Sequence, residues 1–178
     1  MYNVNDKVVY PGHGVAIINK LIEKQVANQT ISFFELSFLS KEITVMVPVS
    51  NLTTLGLRPL ATQKEIKTLL EDFCMEQKKV LSNDTAVNSW NKRNKNFQAK
   101  LKTGFLKDLA SIYLELKNIS NYKELSFGER SVLQQTERLL AEEISIVMNI
   151  SAIEAAETLC IHAAQNINIK EATVLLNR

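Results

Sequence analysis

The sequence predicts an α+β chain: a small curled sheet or barrel, followed by a separate all-helical domain of four to five helices. Three observations carry that prediction. Short β-branched and aromatic runs follow one another through the first sixty residues, with no helix-length segment between them. Three of the five glycines and all three prolines fall within residues 1–59, where turns must punctuate the strands. Beyond Pro59 only Gly104 and Gly128 remain, and Ser/Thr-x-x-Glu capping boxes appear instead. The domain boundary is therefore drawn as 1–58 and 59–178.

Asp6 to Tyr10 (DKVVY) is the first strand, closed by the turn Pro11-Gly12-His13-Gly14. Val15 to Ile22 resumes β-branched and apolar, and Asn28-Gln29 makes a polar break. Ile31 to Leu39 (ISFFELSFL) follows; Lys41-Glu42 turns the chain into Ile43 to Val47 (ITVMV), stopped by Pro48. Thr62 and Glu65 then cap a helix whose inner face is Ile66, Leu69, Leu70 and Phe73. Two more helices are expected over about residues 86–102 and 105–118, divided by Gly104. Ser126 and Glu129 open a long one bearing Val132, Leu133, Leu139, Leu140, Ile144 and Val147 at helical spacing. Ser151 and Glu154 open another, with Ala155, Leu159, Cys160 and Ala163 as its apolar stripe. Asn168 to Glu171 reads as a short final turn or a frayed tail.

Composition excludes several classes. The 178 residues are 46% hydrophobic and 22% charged, an ordinary globular balance. No apolar run approaches the roughly 18 residues of a membrane span, and the N-terminus MYNVNDK has no leader pattern. Cys74 and Cys160 form neither a disulfide framework nor a metal spacing, so a reducing cytoplasm is the expected compartment.

Charge is segregated along the chain. Between Asp84 and Asp108 there is no acid, while Lys92, Arg93, Lys95, Lys100, Lys102 and Lys107 give a local net of +6 against +2 for the whole chain. Such a run is either a solvated face or a phosphate-facing surface. The only tryptophan, Trp90, heads it. A lone Trp is usually core, but only Phe97 continues an apolar stripe from this one, whose other helical neighbours are Arg93 and Asn94. An indole beside several cations also suits stacking on, or wedging between, bases.

Catalytic chemistry finds no foothold. His13 lies in a turn and His162 on an apolar helix side; no GxxxxGK[ST] or GxGxxG occurs. Glu65, Glu129 and Glu154 are explained as capping residues, and Cys74 and Cys160 read as small core residues. No enzyme, cofactor or metal site is expected.

The residues nonetheless have a likeness. VNDKVVYPGHGV at 4–15, then ITVMVPVSN and LGLRPL, resemble the N-terminal domain of the CarD/CdnL family of bacterial transcription regulators. The same Tudor-like module is the RNA-polymerase-interacting domain of transcription-repair coupling factor; a helicase-linked coupling factor is not expected, because no Walker motif occurs in the sequence. The second half resembles the CarD helical domain through Trp90 with its following cations and through LSFGERSVL. The resemblance implies a Tudor-like domain docking on the β subunit of bacterial RNA polymerase by strand addition, through Ile43, Thr44, Val45, Met46 and Val47, with Lys24 as a basic contact. It implies Trp90 as a wedge in the minor groove of promoter DNA at the upstream edge of the melted bubble. Lys92, Lys95 and Arg93 would then hold phosphates. Met46 stands where the family often has arginine, and Asn94 where it often has an aromatic or apolar residue, which puts those two contacts in question. An effect on open promoter complexes follows. No base-reading pattern is evident, so the DNA contact is expected to be largely sequence-independent, and since nothing in the sequence suggests an obligate dimer a monomer is expected. The rival reading is a protein-interaction adaptor of RNA polymerase, with Trp90 in the core and no direct DNA contact.

Overall fold

The computed structural model describes residues 2–26, 29–75 and 90–176. A five-stranded antiparallel sheet is followed by five helices. The strands are β1 (Lys7–Tyr10), β2 (Gly14–Val26), β3 (Gln29–Phe38), β4 (Thr44–Pro48) and β5 (Arg58–Pro59), in the order β4-β3-β2-β1-β5. The helices are α1 (Gln63–Met75), α2 (Trp90–Thr103), α3 (Leu106–Ser120), α4 (Phe127–Met148) and α5 (Ala152–Leu176).

Alternation builds the sheet. Along β3, Phe34, Leu36 and Phe38 are buried while their neighbours are only partly so, as a period of two requires. They close on Val8, Ala16, Ile18 and Val47, and Leu52 and Leu57 complete this first core. An irregularity between Ile18 and Lys20 shifts the β2–β3 register by one residue, as a bulge does. The hairpin is longer than its apolar runs suggest, because Glu23, Lys24 and Gln25 pair with Ser32, Ile31 and Thr30 outside the core. Asn28, the expected break, lies outside the described residues. The sheet reaches one residue past residue 58, since Pro59 pairs with Val8.

The helical half packs around a second core of α1 (Ile66, Leu69, Leu70, Phe73), α3, α4 (Leu139, Leu140, Ile144) and α5 (Ala155, Leu159, Ala163). All three capping boxes form. Thr62 and Glu65 exchange hydrogen bonds at α1, as do Ser126 and Glu129 at α4 and Ser151 and Glu154 at α5. Two expectations need correction. Helix α5 runs on through Asn168 to Glu171 without a new start. Cys160 is exposed rather than core, because it lies a sixth of a turn or more beyond the line of Ala155, Leu159 and Ala163, which recurs every four residues. The side chain of Cys74 and residues 86–89 lie outside those described.

The two cores are joined by the Pro11–Gly14 turn. A β-carbon on Gly14 would collide with the carboxylate of Glu142, whose Oε1 accepts the Val15 N–H at 3.2 Å. A β-carbon built on Gly104 would stand 3.0 Å from Pro11. Both glycines have positive φ, so a side chain would be strained as well as crowded. Beside them Arg58 grips Glu143 in two bonds of 2.7 Å and donates twice to the Gly104 carbonyl. Glu143 also accepts the Ala61 N–H at 2.9 Å. Glu143 is 2% exposed and Arg58 14%, so removing the arginine would strand a buried charge, at a cost of about 3–5 kcal/mol.

Candidate nucleic-acid interface

Helix α2 begins at Trp90 and is held to the core by Phe97 and Leu101. Those anchors put Lys92 and Lys95 on the solvent side, both exposed and three apart, so neighbours on one face. The indole of Trp90 is partly buried against the helical core. Its ring lies 6.4 Å from that of Phe97, at 59°, and it covers Gly128 in the first turn of α4. The indole is thus both seated and partly open, between the core and the free-ligand readings of the sequence.

Glu129 holds this seat together. It is the third residue of α4, where its carboxylate accepts the Ser126 N–H at 2.9 Å. The same carboxylate accepts from Arg93 of α2 at 2.7 Å and from Lys123 at 3.4 Å. Glu129 is 2% exposed. Burial pushes its carboxyl up, but the Ser126 hydrogen bonds and the two cations outweigh this and bring it down to about 2. Arg93 therefore differs from its expected place on a phosphate. Its side chain is 13% exposed, and its guanidinium is committed to Glu129 because it shares the inward side of α2 with Phe97 rather than the face of Lys92 and Lys95. The sequence marked Glu129 as a cap; it held no signal for the pairing with Arg93, 36 positions away.

In the first domain β4 is an edge strand. The Phe38 N–H donates to the Ile43 carbonyl. The alternation of antiparallel pairs then makes Leu36–Val45 and Phe34–Val47 the bonded pairs and turns the backbone of Thr44 and Met46 outward. Ile43 precedes the strand and is half exposed; Met46 is 45% exposed. Val47 is buried and Val45 packs on the same core, so of the five expected contact residues these two offer no side chain. Lys24 is exposed on β2 opposite Ile31, two residues past the last β3–β4 pair, Phe33–Pro48.

Residues 2–61 match the family model described as the CarD-like/TRCF RID domain. Residues 77–160 match the model described as CarD, C-terminal domain. The YdeB protein of Bacillus subtilis (strain 168), whose name presents it as a candidate transcription factor, is 25% identical over 152 residues, covering 85% of this chain and 95% of that protein. The solution structure of the 72-residue N-terminal domain of Myxococcus xanthus CarD is 32% identical, over 33% of this chain and 79% of that one, with a TM-score of 0.29.

Proposed function

This chain belongs to the CarD-like family and is a transcription regulator, and from that premise we propose how it acts. The sheet domain docks on the β subunit of bacterial RNA polymerase by adding a strand to β4, with Thr44 and Met46 supplying the outward backbone groups and Lys24 a charge. The helical domain then presents Trp90 to the minor groove of promoter DNA at the upstream edge of the bubble. Lys92 and Lys95 contact phosphates; Arg93 acts from behind, by holding α2 to Glu129.

The observation that carries this reading is the seat of Trp90, an indole fixed over Gly128 yet partly open to solvent at the head of a helix with no acidic residue. A wedge between base steps costs a few kcal/mol of unstacking on duplex DNA and less where strands are already parting. Trp90 would then favour the open complex over the closed one, and a differential of about 1.4 kcal/mol shifts that equilibrium tenfold. Recruitment comes from the polymerase, and the DNA contact is largely independent of sequence.

The test is the lifetime of promoter open complexes with purified bacterial RNA polymerase, comparing no factor, wild type and Trp90→Ala, with polymerase binding measured in parallel. Wild type is expected to lengthen the lifetime, and Trp90→Ala to lose that effect while still binding the polymerase. A wild type that binds the polymerase but leaves the lifetime unchanged would make the protein an adaptor without DNA contact.

A further inference from the structure

Among the described residues, Phe127 and Tyr122 are the most exposed large apolar side chains, at 87% and 76%. A ring left bare at the first position of a helix contributes nothing to either core. Both lie at the corner that seats Trp90. Phe127 immediately precedes Gly128, on which the indole rests. Tyr122 immediately precedes Lys123, whose ammonium reaches the Glu129 carboxylate that also holds Arg93 of α2.

The charges around these rings favour an anionic partner. Lys92 and Lys95 are exposed, and the side chains of Lys123 and Arg130 are 56% and 57% exposed. Of the acids at this corner, Glu129 is buried and paired with Arg93 and Lys123, and Glu124 stands 3.5 Å from Arg130. Five cations (Lys92, Arg93, Lys95, Lys123 and Arg130) thus stand against two acids, with Lys92 and Lys95 exposed. Exposed aromatic rings beside such a cationic excess are the pattern by which proteins hold single-stranded nucleic acid: phosphates meet the cations, and bases stack on the rings whatever their sequence.

We infer that Phe127, flanked by Tyr122, is a second aromatic contact of this site, a platform on which a base of the unpaired strand stacks beside Trp90. The inference rests on the reading of Trp90 as a wedge at the bubble edge: the step it opens exposes a base face within reach of the neighbouring ring.

The test uses the full chain and purified bacterial RNA polymerase on a promoter, with wild type, Phe127→Ala, Phe127→Leu, Phe127→Trp and Trp90→Ala. Phe127→Ala is expected to shorten the open-complex lifetime about fivefold, the lower end of what one base–aromatic stack is worth. Melting temperature and polymerase binding without DNA should stay at wild-type values, since the ring supports no core. Phe127→Trp should keep the long lifetime and Phe127→Leu should lose it. A wild-type lifetime with Phe127→Ala, or with Phe127→Leu, overturns the stack; so does a parallel loss of polymerase binding without DNA, which would make Phe127 a protein contact. If Trp90→Ala shortens the lifetime and Phe127→Ala does not, this contact fails and the wedge stands. If neither does, both fall.

Discussion

Gly128 carries the indole of Trp90: a β-carbon built on that glycine would stand 2.7 Å from Cζ2 of the ring. Glycine in a first helical turn normally costs helix stability, so its presence here is explained by what lies above it. Gly128→Ala would gain up to about 1 kcal/mol of helix propensity, while the indole, only partly buried, would shift to clear the new methyl. The expected result is a melting temperature within a few degrees of wild type, with Trp90 more accessible to iodide and the open-complex lifetime shortened. Unchanged quenching would mean that the ring does not use this seat in solution.

Acid should loosen the same corner in a defined range. Glu129 has its carboxyl lowered from 4.5 to about 2, so the folded chain binds that proton less readily than the unfolded one. Its contribution to stability is complete above about pH 4.5 and is lost as pH falls towards 2. Trp90 is the only tryptophan, which makes its emission a local reporter. Emission should hold steady from pH 7 to about 4.5 and shift below it. In Glu129→Gln, whose amide oxygen can still accept the Ser126 N–H but cannot pair with Arg93, the shifted emission should be present already at pH 7. A Gln variant with wild-type emission would separate Glu129 from the indole.

Much of this architecture is legible in the sequence because periodicity and caps are local. Phe34, Leu36 and Phe38 announce a strand, and Ser126 with Glu129 announces a helix start, from neighbours within a few positions. The joint between the halves is not local. Glu142 and Glu143 sit side by side on a helix, where two adjacent acids ordinarily mark a solvated face. They are buried only because Val15, 127 positions from Glu142, and Arg58, 85 positions from Glu143, fold against them. The Pro11–Gly14 turn is likewise readable as a turn, while its use as a latch is set by Gly104 and α4. At the candidate interface the run of cations was visible, but which of them face outward was not. Phe97 decides that: it turns Arg93 inward and leaves Lys92 and Lys95 outside.

The edge of β4 gives a substitution that separates docking from folding. Met46 lies in a pair whose backbone groups point away from β3. Met46→Pro therefore removes an outward N–H and spares the ladder, and proline is tolerated on an edge strand in that orientation. The expected outcome is a folded protein, by circular dichroism and cooperative melting, with polymerase binding reduced at least tenfold. Val45→Pro, which removes a bonded N–H, should instead destabilise the sheet. Polymerase binding untouched by Met46→Pro would place the docking surface elsewhere.

Lys92, Lys95 and Arg93 lie within four residues of one another, and the structure divides their roles. The two lysines are exposed and unburdened by core contacts. Lys92→Ala with Lys95→Ala should leave melting unchanged and lower the salt dependence of DNA binding, the slope of log K against log salt, by up to about two units. Arg93→Ala acts through another route. It strips Glu129, 2% exposed, of its closest cation, and a stranded buried charge costs stability on the order of 3 kcal/mol; Lys123 at 3.4 Å offsets only part of that. Arg93→Ala should therefore lower the melting temperature by several degrees and raise iodide quenching of Trp90, while changing the salt slope by less than one unit. A full-unit drop in slope with unchanged melting would return Arg93 to the phosphate backbone and leave Glu129 held by Lys123 alone.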